Sequence, residues 1–194
     1  NKLYMGETYG EASVGFVPIH YGEECEQAWL NFCKALAERY QGRIEYYEIW
    51  NEANGKSFWR PKDPSAAGYA KLIKITADAI HEVFPEARCG ANVAGFPKPY
   101  ILDLMKYGAM EKLNFFALHP YDPHPEQSWA QRVEWLRDVF AGAGYRGADV
   151  EVWQGECGFA SWTPEKYWQP RFVRESERAQ AVWLLRRYVL DLYL

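Results

Sequence analysis

Apolar positions along the chain keep changing period. From Glu23 onward Trp29, Phe32, Cys33, Leu36, Ala37 and Tyr40 recur three and four residues apart, which is one face of a helix. Glu23, Glu24 and Glu26 suit the positive end of that helix, and Gly42 can stop it. A β-prone run from Ile44 to Asn51 follows and breaks into the polar residues after Glu52. Asp63 as N-cap and Pro64 as first helical residue then open a second stripe of Tyr69, Leu72, Ile73, Thr76, Ile80 and Val83, which Pro85 ends. Ala87 to Ala91 reads as a short strand ending near Asn92, and Tyr100, Leu104 and Met105 mark a third helix closing around Gly108. Leu113 to Leu118 is a dense apolar strand tipped by His119, Pro120, Tyr121 and Asp122. Pro125 opens a fourth helix carrying Trp129, Val133, Leu136 and Phe140, closed by Gly142 and Gly144. A strand from Asp149 to Gln154, a long loop holding Trp162, Tyr167 and Trp168, and a helix from about Ser176 complete the pattern. Residues 1 to 22, punctuated by Gly6, Gly10, Gly15 and Gly22, read as loop.

Regular exchange of strand and helix predicts an α/β fold with a parallel sheet, in one domain spanning residues 1–194. In a (β/α)8 barrel the functional residues stand at the C-terminal ends of the strands. Asn51 with Glu52, Asn92, His119 with Tyr121, and Glu156 all fall at such tips. A carboxylate at the end of a buried strand costs several kcal/mol unless it is paired or protonated, so Glu52 and Glu156 are the candidates for chemistry. The competing reading of each is a strand-end salt bridge. Two such residues about a hundred positions apart fit two strands of one barrel separated by whole βα units, the arrangement of a glycosidase.

Length changes that picture. A complete barrel usually needs about 250 residues, and this chain has 194. It starts at Asn1 without a methionine, and its apolar pattern runs to Leu194 without a stop, so it reads as an excerpt: a partial barrel. Composition excludes some classes. With 48% hydrophobic residues, 25% charged residues and a net charge of −4, the chain has no basic patch for nucleic acid and no segment long enough for a membrane span. The aromatic content of 17% favours sugar stacking, although large cores also use aromatics. Cys25, Cys33, Cys89 and Cys157 have no metal-binding spacing and read as free thiols, with Cys25 and Cys33 on one helix too far apart to bridge.

The motifs Ile49-Trp50-Asn51-Glu52 and Trp153-Gln154-Gly155-Glu156 resemble those of the retaining glycoside hydrolases of clan A. The approach Ala37-Glu38-Arg39-Tyr40, then Tyr47-Glu48-Ile49-Trp50-Asn51-Glu52, looks most like family 39, the xylosidase and iduronidase group. The resemblance implies a (β/α)8 barrel with its acid/base glutamate after the fourth strand and its nucleophile after the seventh. On that layout the chain covers strands four to seven. Glu52 would be the acid/base and Glu156 the nucleophile, about 5 to 5.5 Å apart for retention against about 6.5 to 9.5 Å for inversion. Asn51 would bind the sugar 2-hydroxyl, Tyr121 the nucleophile, and His119 the sugar.

Other residues have weaker claims. Glu48 shares a face with Glu52 and reads as structural, paired with an arginine. Asn92 stands at its strand tip as a substrate contact, and Trp59, Trp162 and Trp168 are candidate sugar platforms, with packing under a loop as the competing reading. The expected partner is a carbohydrate, with no cofactor and no metal. The alternative to an enzyme is a carbohydrate-binding barrel remnant without catalysis. Metal-dependent hydrolysis through Glu52, His119 and Glu156 is a third reading, which lacks a His-rich or Asp-rich ligand spacing.

Overall fold

A computed structural model describes residues 15–143, 149–161 and 176–194. Four strands, β1 (Tyr46–Glu48), β2 (Arg88–Ala94), β3 (Phe115–His119) and β4 (Glu151–Gln154), form one sheet in sequential order. Every neighbouring pair is parallel. The helices are α1 (Glu23–Tyr40), α2 (Ala66–Val83), α3 (Lys98–Lys106), α4 (Trp129–Gly142) and α5 (Glu177–Tyr193). This is the expected alternation, a partial barrel of strands and crossover helices.

The two faces of the sheet differ because side chains alternate along each strand. Tyr47 and Ile49, Cys89, Ala91 and Val93, Phe116 and Leu118, and Val152 point to the helices, where they meet Ala37, Tyr69, Leu72, Ile73, Ile101, Leu136 and Phe140 in one apolar core. The opposite face carries Tyr46, Glu48, Arg88, Gly90, Asn92, Phe115, His119, Glu151 and Trp153. Its lower part is aromatic. Phe115 stacks on Trp153 at 4.2 Å, and Tyr46 lies 5.0 Å from Trp153. A Cβ on Gly90 would stand 2.2 Å from the Phe115 ring, so the glycine makes room for that stack.

Boundaries depart from the periodic pattern where side chains intervene. The cap of α2 is Ser65, whose Oγ accepts from Gly68 N at 3.1 Å, rather than Asp63 with Pro64. β1 is shorter than Ile44 to Asn51 because the backbone turns left-handed at Trp50 (φ 66°) and Glu52 (φ 42°). Pro125 opens only a 3-10 turn, Pro125–Gln127, and α4 starts at Trp129 because Ser128, with φ −141°, is bonded to Asp122 instead of continuing a helix. On α1, Phe32 is 56% exposed, while Cys25, Cys33 and Ala37 are buried and Trp29 donates to Thr76 Oγ1 of α2 at 2.8 Å. All four cysteines are free, and burial pushes the Cys33 and Cys89 thiols up to about 12, so neither is poised as a nucleophile.

Candidate active site

β1 ends in a turn whose left-handed residues, Trp50 and Glu52, are not glycines. Left-handed backbone at a non-glycine residue costs about 1 to 3 kcal/mol, and it persists only where the surroundings over-determine it. Asn92 supplies that determination. Fully buried, it accepts from Glu52 N through Oδ1 at 2.7 Å and donates through Nδ2 to Trp50 O at 2.7 Å and to Glu48 Oε1 at 2.7 Å. Behind it the buried Tyr69 hydroxyl of α2 accepts from Asn92 N at 3.1 Å and donates to Ile49 O at 2.6 Å. Asn54 locks the same loop to β2, its amide bonded to both Ala94 N and Ala94 O. Trp50 adds a bond from its indole to Phe58 O at 2.7 Å. The turn therefore aims the Glu52 carboxylate across the sheet.

That carboxylate meets the tips of β3 and β4. His119, 3% exposed, places Nδ1 2.9 Å from Glu52 Oε1 and 3.5 Å from Glu156 Oε2. One carboxylate oxygen of Glu52, one of Glu156 and the ring nitrogen of His119 lie within 4.8 Å of one another. Three such donors could hold a divalent cation, yet His119 Nδ1 is already engaged by a carboxylate. The Tyr121 hydroxyl donates to Glu156 Oε1, and that bond pushes the hydroxyl up to about 12, so Tyr121 stays a donor at neutral pH. Gly155 lets β4 come close, since a Cβ there would stand 3.0 Å from Ala117 Cβ and 3.2 Å from both Glu48 Oε2 and His119 Nε2.

The structure thus brings together Glu52, Glu156, His119 and Tyr121, from three strand tips. Asn51 lies half-buried on the same turn. Three expected roles are corrected. Trp59 is completely buried, edge-on to His20 and Tyr69, and no sugar can stack on it. Glu48 is bonded to Asn92 and, among the described residues, to no arginine: the strand partner opposite it is Gly90, and Arg88 of the same strand is bonded to Glu151 Oε1 at 2.7 Å and to the Tyr46 hydroxyl at 3.0 Å. Asn92 is at its tip as expected, but its amide is spent on the protein and faces no open space. Trp162 and Trp168 lie outside the described residues.

Sequence reasoning missed Tyr69, Asn54 and Asp122. Asp122 clasps the β3 tip: its Oδ2 accepts from Ser128 Oγ at 2.8 Å and Arg132 at 3.0 Å, and its carbonyl accepts from the Trp183 indole of α5 at 2.8 Å. An Asp beside a Ser and an Arg six and ten residues later was the available signal.

With this geometry in place, comparison with known proteins decides the family. The model of glycosyl hydrolases family 39 matches residues 12–142. The chain belongs to that family. A beta-xylosidase of Geobacillus stearothermophilus is 32% identical over 90 residues, 43% of this chain and 18% of the relative. Among solved structures, an alpha-L-arabinofuranosidase from Thermotoga maritima aligns with a TM-score of 0.61 at 15% identity, over 87% of this chain and 38% of that one. A GH10 endoxylanase from a sugarcane soil metagenome aligns with a TM-score of 0.56 at 18% identity, over 97% of this chain and 60% of that one. Both likenesses concern the barrel fold. The stretch of this family 39 chain that matches its beta-xylosidase relative spans less than a fifth of that relative's length.

Proposed function

We propose that the protein is a glycoside hydrolase acting by retaining double displacement, with Glu52 as acid/base and Glu156 as nucleophile. The observation that carries this reading is the approach of the two carboxylates to within 4.8 Å around His119, close to the spacing of about 5 to 5.5 Å that leaves no room for an attacking water between them. Glu156 attacks the anomeric carbon as the C–O bond to the leaving group breaks, and Glu52 delivers its proton to the departing oxygen. Glu52 then takes a proton from water, which releases the sugar from Glu156 with its original configuration. Tyr121 fixes the attacking carboxylate. Asn51, on the turn beside Glu52, is the donor offered to the sugar 2-hydroxyl, and His119 helps hold the sugar between the carboxylates.

The substrate is a carbohydrate, and 4-nitrophenyl β-D-xyloside heads the panel of aryl glycosides to test because the beta-xylosidase is the sequence relative. The decisive experiment is Glu52→Ala with azide. Turnover of an activated aryl glycoside should fall, and azide should restore it with formation of a glycosyl azide of retained configuration, read by NMR. An inverted product, or full activity without azide, would remove the assignment. Sugar binding with no turnover in the intact protein would favour the non-catalytic alternative. Activity that survives exhaustive chelation would dispose of metal-assisted hydrolysis.

A further inference from the structure

A third carboxylate lies beneath the pair. Glu48 sits on β1, on the face that carries the site, and its two oxygens point to different partners. Oε1 accepts from Asn92 Nδ2 at 2.7 Å, and the same amide holds Glu52 N and Trp50 O. Oε2 faces the gap beside Gly155, where one point, the position of a Cβ on that glycine, is 3.2 Å from Glu48 Oε2 and 3.2 Å from His119 Nε2. His119 is thus surrounded: Nδ1 faces Glu52 and Glu156, and Nε2 opens toward Glu48.

We propose that Glu48 is a positioning and charge-setting residue of this centre, acting on the aim of Glu52 through the Asn92 amide and on the charge balance of the pair through the His119 ring. The proposal rests on the retaining reading above and goes beyond it, because Glu48 touches neither substrate nor reacting atom in that mechanism. Three carboxylates gather around one imidazole, so the charge on Glu48 is part of the electrostatic balance in which the other two must exchange a proton. An acid/base residue that must carry a proton benefits from a negative neighbour, while a nucleophile that must be ionised does not. The surroundings of Glu48 are consistent with such coupling. Its side chain still meets solvent on the inner face, yet the protein crowding it raises its carboxyl above the usual range, with His119 and the Asn92 bond opposing that and Glu156 adding to it. Tyr69, on the far side of Asn92, also feels the charge of Glu48, and its hydroxyl is pushed upward mainly by burial. Tyr121 faces the group only through Glu156, to which it donates.

Glu48→Gln tests this, since the amide oxygen can still accept from Asn92 while the charge is gone. The alkaline limb of kcat/KM for 4-nitrophenyl β-D-xyloside, or for whichever aryl glycoside of the panel turns over best, should move to lower pH by about 0.5 to 1 unit, with KM within about twofold. Glu48→Asp keeps the charge and should leave the limb close to its original position. A uniform drop of kcat at every pH with the limb in place would mean a purely structural residue and would overturn the proposal, as would an unchanged profile. Either result leaves the retaining reading intact so long as the Glu52 and Glu156 variants are inactive. A second measurement does not depend on turnover: the His119 ring titration followed by NMR should move to lower pH in Glu48→Gln, and an unmoved midpoint would refute the coupling.

Discussion

The two strand tips that supply the carboxylates are built differently. Glu52 has 18% of its side chain exposed and leaves a left-handed turn fixed by Asn92, Tyr69 and Asn54, all on or against β2 and α2. Glu156 has 47% exposed, follows β4 directly and is held by Tyr121 with His119 beside it. Placement of the first is a property of the buried core. Placement of the second depends on the β3 tip, which Asp122 fastens to α4 and α5. Under the proposed roles, the residue assigned to proton delivery is rigidly aimed, whereas the residue assigned to attack on the anomeric carbon is tethered by one hydroxyl.

The comparison can be broken at either end. Glu156→Ala should have the largest effect, a loss of about a thousandfold or more in kcat, since it removes the carboxylate proposed to form the covalent intermediate. Azide on that variant should give a product of inverted configuration, which distinguishes it from Glu52→Ala. Asn92→Ala comes next. It frees the Glu52 turn and leaves Trp50 O and Glu52 N without their buried partner, so kcat should fall by about 10- to 100-fold and stability by about 1 to 3 kcal/mol, read by steady-state kinetics and denaturant unfolding. Asp122→Ala loosens only the opposite tip, and a loss of less than about tenfold is expected, with azide rescue of the Glu52→Ala background weakened to a similar degree.

The smallest effect concerns stability and pH. Burial raises the Glu48 carboxyl, so the folded state holds that proton more tightly than the unfolded chain does. The associated stability is complete below the unfolded value and is lost as pH rises through the folded one. Glu48→Gln should therefore raise Tm by about 1 to 3 °C at neutral pH and leave it unchanged near pH 4, measured by thermal unfolding at both.

Much of the fold was legible because helix and strand periods differ. Tyr69, Leu72, Ile73 and Ile80 are the buried stripe of α2, and Phe116 with Leu118 and Val152 fill the helix side of the sheet. The glutamates were legible as polar ends to apolar runs. Less visible was anything decided by a partner distant in sequence. A tryptophan such as Trp59 gives the same signal whether it lies over a loop or under it, and only the packing of His20 and Tyr69 around it settles which. Asn92 looked like a substrate contact because an asparagine at a strand tip has an amide to offer, and only the fold shows that amide already in use. The turn at Trp50 and Glu52 had no local signal at all, since bulky residues do not announce positive φ.

The register of β4 has a consequence for anyone editing the chain. Phe115 pairs with Glu151 and Ala117 with Trp153, so every second residue of that strand belongs to the inner face. A single-residue insertion within it would send Trp153 among the helices and rotate Gly155 and Glu156 out of the gathering at His119. The same insertion after Gly142, before the strand begins, would leave that gathering untouched.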